Sequence, residues 1–137
     1  MIGAATVIVD DPDLVLLVKH SYGERNWELP GGRGETGESG EETARREARE
    51  EVGLELYDMR LTGVYWDPSV DMHHFVFRAR VAERPRVADK SEITEVGWFS
   101  RDALPRPISD FTMRRIEDAL AGHPPAITVI EARVWLR

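Results

Sequence analysis

Residues 32–54, GRGETGESGEETARREAREEVGL, place a glycine-rich turn directly before a segment crowded with glutamate and arginine. Ser39 followed three residues later by Glu42 is a capping box, so a helix is predicted to start near Gly40. Ala44, Ala48 and Val52 recur every fourth residue and give that helix a narrow apolar face, and Gly53 is its natural stop. Glu47, Glu50 and Glu51 fall at i, i+3 and i+4 and share a second face. Like charges at that spacing weaken a helix, so a cation is needed there. The oxygen-only donors suit a hard divalent ion such as Mg²⁺ or Mn²⁺. The chain must therefore pack one side of this helix on a sheet while its other side holds carboxylates at a glycine turn.

The rest of the chain fits that requirement. Its 137 residues suffice for one domain with one core. With 42% hydrophobic and 31% charged residues the composition is that of a globular protein. The absence of cysteine excludes disulfides and thiolate metal sites and fits a cytoplasmic location. No apolar run is long enough to span a bilayer, and the N-terminus lacks a signal-peptide layout. A formal charge of −7 argues against a broad nucleic-acid surface, although metal ions can still neutralise a phosphate compound locally.

Gly3–Val9 and Leu14–Val18 read as two buried strands of a hairpin turning at Asp10–Asp13. Lys19–Asn26 is a loop, Trp27–Leu29 a short extended piece, and Pro30 with Gly31, Gly32 and Gly34 a tight turn. Leu54–Trp66 and His73–Val81 read as paired long strands around the Asp67-Pro68-Ser69 turn. Residues 83–91 form a loop and Ile93–Phe99 another strand. Ser100–Leu104 is then predicted as a short helical turn and Ser109–Ala121 as an amphipathic helix stopped at Gly122. Ala126–Leu136 adds an edge strand, either to its own sheet or to that of a partner in a homodimer. The order of elements predicts an α/β (α+β) fold with a mixed sheet between helices.

The spacing is Gly32, five residues, Glu38, seven residues, then Arg46-Glu47-Ala48-Arg49-Glu50-Glu51-Val52-Gly53-Leu54. It resembles the Nudix box of the Nudix (MutT-like) hydrolases, and Trp27-Glu28-Leu29-Pro30-Gly31 resembles the usual lead-in. Ala48 departs from the pattern, where a bulkier aliphatic residue is more common. The resemblance implies an α/β/α sandwich over residues 1–137 and hydrolysis of a nucleoside diphosphate linked to a further group, with Mg²⁺ or Mn²⁺. It implies Glu50 and Glu51 as principal metal ligands and Glu47 as a ligand or the base that deprotonates water. The carbonyl of Gly31 is the implied backbone ligand, Glu38 an orienting or metal-binding loop residue, and Arg46 the arginine that orients the carboxylates.

In some relatives a later loop supplies the general base; here Glu92 is the first candidate, Glu95 the second, with Asp89 nearby. Arg25 and Arg33 flank the glycine turn and are candidates to clamp phosphates, with solvent exposure an equal alternative for each. His73 and His74 are adjacent on a strand, so at most one faces a given site. Tyr65, Trp66, Phe75 and Phe77 are expected mainly in packing.

The marks of narrower subgroups are absent. Val70 stands where ADP-ribose hydrolases often have proline, and Val70, Asp71 and Met72 fill the window for the tyrosine of dinucleoside polyphosphate hydrolases. The small-molecule substrate expected is a nucleoside triphosphate, then ADP-ribose or a nucleotide sugar. Two other classes remain, a nucleotide-binding regulatory module of the same fold and a plain acidic structural domain.

Overall fold

The computed structural model describes residues 1–137. Strands β1 (Ile2–Asp10), β2 (Leu14–His20), β3 (Trp27–Glu28) and β4 (Gly31–Arg33) precede helix α1 (Gly40–Val52). Strands β5 (Tyr57–Asp67), β6 (Met72–Arg80), β7 (Ile93–Ser100) and β8 (Ile108–Ser109) follow, then helix α2 (Asp110–Ala121), β9 (Ile127–Val129) and β10 (Trp135–Leu136). The sheet runs β10-β8-β3-β2-β1-β6-β5-β9, with β4 also on β1 and β7 also on β2. β1–β6, β3–β8 and β5–β9 are parallel and the remaining pairs antiparallel, so the sheet is mixed.

The β1–β2 hairpin is much shorter than its strands. Only Val9↔Val15 and Asp10↔Leu14 pair before the two strands part. β2 takes β3 on the vacated edge and β1 takes β4. The chain therefore crosses the gap between the diverging strands at Leu29-Pro30, where Thr6 N–H donates to the Pro30 carbonyl at 3.0 Å. The glycine turn is wedged into that gap, which places it in front of α1.

Apart from Thr6, residues 3–9 of β1 and 14–18 of β2 are apolar, as suits strands covered on both faces. Ala4, Ile8, Leu16 and Val18 face α1 and pack with Ala44, Ala48 and Val52. Ala5, Val7, Val9, Val15 and Leu17 face the opposite way, against Phe111, Ile116 and Ala119 of α2. The predicted arrangement of a mixed sheet between helices is thus present. Ala48 is 1% exposed, filling its place in the α1 core.

Both helix starts follow the sequence reading. Ser39 accepts from Glu42 N–H while the Glu42 carboxylate takes Ser39 N–H, and Ser109 accepts from Thr112 N–H. Gly53 and Gly122 end the helices at φ 69° and 73°, the left-handed region where glycine costs least.

Ser100–Leu104 makes the single turn expected, with Asp102 N–H on the Ser100 hydroxyl at 3.3 Å and Ala103 N–H on the Ser100 carbonyl. Three boundaries differ from expectation. β5 begins at Tyr57, since Leu54 and Leu56 are spent as buried core under α1. The glycine turn itself pairs as β4. The last segment supplies two strands, both to its own sheet: β9 on β5 at one edge and β10 on β8 at the other. No helix is long and apolar enough to cross a membrane.

Candidate active site

Arg46 is the hub of the carboxylate cluster. Its Nε donates to Glu38 at 2.7 Å and its Nη2 to the second Glu38 oxygen at 3.1 Å, the two-point fork that guanidinium and carboxylate geometry favour. Nη1 donates to both Glu47 and Glu50 at 3.0 Å, and Nη2 also holds the Arg33 carbonyl at 2.9 Å. Glu38 further accepts from Thr43 Oγ1 and Glu35 N–H. The hydrogen bonds from Arg46 hold its carboxyl at about 2, well below the usual range. One side chain on α1 thus fixes the loop carboxylate and two helix carboxylates against β4.

Glu51 is held differently. It lies one turn beyond Glu47, only 3% exposed, and accepts the Gly31 N–H at 3.0 Å. Burial, then its hydrogen-bond contact with Glu47, pushes its carboxyl up to about 9, and the Glu92 charge adds to the rise. Burial also raises Glu47, against the opposing pull of Arg46. Two buried carboxyls side by side cannot both ionise cheaply, so they hold a proton between them. A divalent cation there would displace it, and the donors are all oxygens, so Glu47 and Glu51 fit a hard metal ion. Glu50, half-exposed and bonded to Arg46, does not converge with them; no three acidic or histidine side chains meet at one point in this arrangement.

The glycines are explained by contact. A Cβ on Gly32 would lie 2.7 Å from the Glu47 carboxyl, and one on Gly31 would lie 2.4 Å from the Ala4 carbonyl oxygen. At Gly31 the obstacle is β1 backbone, so that residue can only be glycine, whereas a side chain at Gly32 would displace the Glu47 carboxyl.

Among the later candidates, Asp89 caps its own turn by accepting from Ser91 N–H and Oγ. Glu95 pairs with Lys19 at 3.7 Å. Glu92 is exposed and acts electrostatically on Glu51, His20 and Tyr22. Arg33 borders a cavity beside the glycine turn, whereas Arg25 stands outside it, on an exposed turn with φ 51°. His73 tilts onto Trp66, with ring centroids 4.4 Å apart, and His74 points inward.

Glu28, Thr112 and Arg115 also meet beside the turn; of the three, only Glu28 enters the sequence pattern, as part of the lead-in. Arg115, 4% exposed, donates to Glu28 at 2.6 Å and stacks 4.0 Å over the Phe111 ring. The available signal was an arginine four residues from both Phe111 and Ala119 within an apolar helix stripe. Tyr22, stacked on His20 at 4.6 Å, lies within the field of Glu92, Glu51, Glu28 and Glu47, at the rim of the site.

A curled mixed sheet between two helices, with an arginine-organised carboxylate helix against a glycine turn, defines a hydrolase of phosphoric anhydride bonds when joined to the likenesses that follow. The family model described as NUDIX domain matches residues 2–120. A provisionally named 8-oxo-dGTP diphosphatase of Bacillus subtilis (strain 168) is 33% identical over 120 residues, covering 88% of this chain and 80% of its own. An ADP-ribose pyrophosphatase of Mycobacterium tuberculosis is 32% identical over 108 residues, covering 71% and 52%. The crystal structure of a MutT NUDIX hydrolase from Burkholderia pseudomallei superposes with a TM-score of 0.73 at 29% identity, covering 85% of this chain and 95% of that one. The chain belongs to the Nudix family.

Proposed function

We propose that residues 1–137 work as one catalytic domain, a Mg²⁺- or Mn²⁺-dependent pyrophosphohydrolase that cleaves nucleoside triphosphates. The observation that carries this is the Arg46 hub holding Glu38, Glu47 and Glu50 beside the buried Glu47–Glu51 pair. Glu47 and Glu51 would hold the metal with the Gly31 carbonyl, and Glu50 and Glu38, which Arg46 holds apart from that pair, would turn toward the ion to join them. When bound, the ion would neutralise the pyrophosphate and lower the pKa of the attacking water.

The chain's own residues do the rest. Arg46 keeps three carboxylates oriented, and the Gly31 N–H fixes Glu51. Glu47 or Glu92 takes the proton as the water oxygen bonds to phosphorus, and the bond from that phosphorus to the bridging oxygen breaks. Arg33, which borders the cavity beside the turn, would meet the anionic leaving group. The name of the Bacillus subtilis relative supports a triphosphate, and that of the mycobacterial relative makes ADP-ribose the second reading. A binding-only regulatory module is disfavoured because every box carboxylate is present. The lack of cysteine supports a cytoplasmic location.

The test is a panel of nucleoside triphosphates, ADP-ribose and nucleotide sugars with Mg²⁺. Turnover of a triphosphate, abolished by Glu50→Gln, is the expected result. Tight nucleotide binding without turnover would instead indicate the regulatory module.

A further inference from the structure

Three arginines meet at the end of the sheet away from the glycine turn. Arg60 of β5 stands directly opposite Arg78 of β6 in the antiparallel ladder, and Arg80 follows two residues along β6 on the same face. With His123 and Asp58 they line a cavity of 390 Å³, bordered by Ala119 in the last turn of α2. Val9 of β1 also borders it, whereas Gly31 pairs with Ala5, about 13 Å of strand away. Like charges directly opposite on a ladder are destabilising. The acids at hand do not match them. Asp58 lines the cavity but stays 3.9 Å from Arg60, and Asp11, outside the lining, takes one bond from Arg80 at 2.9 Å. Arg78 donates Nη1 to the Ala119 carbonyl at 3.2 Å, and the end of a helix offsets only a fraction of its charge. In a chain of net charge −7, this gathering of arginine runs against the trend.

The backbone is distorted where the arginines meet. The β5–β6 register shifts on both sides of Arg60 and Leu61, between Tyr57 and Arg60 and between Leu61 and Gly63, and Asp58 has φ 53°. Bulges re-aim side chains and gather beside functional sites, and a left-handed residue other than glycine is costly to hold. Core packing does not demand it, since the Arg60 and Asp58 side chains are 75% and 54% exposed.

We infer that this cavity binds a phosphate-class oxyanion between Arg60, Arg78 and Arg80, at a site separate from the carboxylate cluster. Guanidinium groups only donate, and a phosphate turns three or more acceptor oxygens toward cations arriving from two strands. A planar carboxylate has two. The anion also removes the cross-strand repulsion that the protein alone leaves unanswered. Free phosphate and the phosphates of a nucleotide share this chemistry. The inference does not rest on the hydrolase reading.

The experiment is calorimetric titration of the metal-free protein at low salt with orthophosphate, pyrophosphate and ADP. Without a cation the carboxylate cluster repels all three, so the heat reports this cavity. Pyrophosphate is expected to bind at millimolar concentration or below, and Arg60→Gln to weaken it at least about tenfold. Because that variant relieves the repulsion, its ligand-free thermal midpoint is expected to be no lower than that of the parent, while pyrophosphate raises the midpoint of the parent alone. ADP binding more tightly than pyrophosphate assigns the seat to a nucleotide's phosphates and the reverse order to the free anion; both uphold it. No binding of any of the three at millimolar concentration, or unchanged affinity in folded Arg60→Gln and Arg80→Gln, would overturn the proposal. So would binding lost in Arg33→Gln and kept in Arg60→Gln, which places the anion at the glycine turn.

Discussion

Gly32 and Glu47 are in mutual contact across the turn–helix boundary: a methyl group on the glycine would sit 2.7 Å from the glutamate carboxyl. Gly32→Ala is therefore expected to push Glu47 off its Arg46 hydrogen bond while leaving the cores untouched. Misplacement of a reacting group by an ångström costs about 10²-fold in rate. Steady-state kinetics should show kcat falling by that order, with the thermal midpoint nearly unchanged.

Arg46 makes contacts that a lysine cannot copy. The fork to Glu38 and the shared Nη1 between Glu47 and Glu50 need a planar guanidinium. Arg46→Lys keeps the charge and is expected to lose about 10–100-fold in activity or metal affinity. Calorimetry with Mn²⁺ alongside Mg²⁺ kinetics would separate the two losses.

Glu51 gives the metal-free protein an unusual pH response. Its folded pKa of about 9 lies above the unfolded value of 4.5, so the native state binds more protons between these limits. Stability must then fall as pH rises through that window, the reverse of a salt-bridged carboxylate. Urea titrations from pH 5.5 to 9 should show this decline, and Glu51→Gln should flatten it. Added Mg²⁺ should raise the midpoint most at the alkaline end, with proton release on binding.

Ser39 tests the helix apart from the chemistry. Its hydroxyl caps α1 through Glu42 N–H at 3.0 Å and touches no carboxylate of the Arg46 hub. Ser39→Ala is expected to cost about 1 kcal/mol in chemical denaturation. Activity per folded molecule should hold.

The legible part of the molecule was the part written in local contacts. The capping box, the Gly53 stop and the Glu47-Glu50-Glu51 spacing all act within one helix, so α1 and its two faces could be read directly. The early parting of β1 from β2 could not, because it depends on β4 taking the edge of β1 that β2 leaves at Gly3–Ala5. The same holds for Glu28 and Arg115, whose meeting requires β3 and α2 to be brought together by the fold. His74 was weighed as one of two strand histidines. Only the pairing of β6 with β1 turned it inward. Periodicity describes an element and its faces; it does not say which distant element will stand opposite.

Strand β1 carries apolar side chains toward both helices, and this leaves an ambiguity in assembly. Where only one face is buried, a slip of one residue exposes the core and corrects itself. A slip of β1 would merely exchange one set of small aliphatics, Ala4 and Ile8, for another, Ala5, Val7 and Val9. The alignment is instead fixed by fit, since the bare backbone of Gly31 nests on Ala4 and Ala5 with no room for any other residue. The turn that shapes the reaction centre is thus also the gauge by which the sheet is assembled in register. A substitution at Gly31 would reach inheritance as a folding defect before its effect on chemistry could be seen.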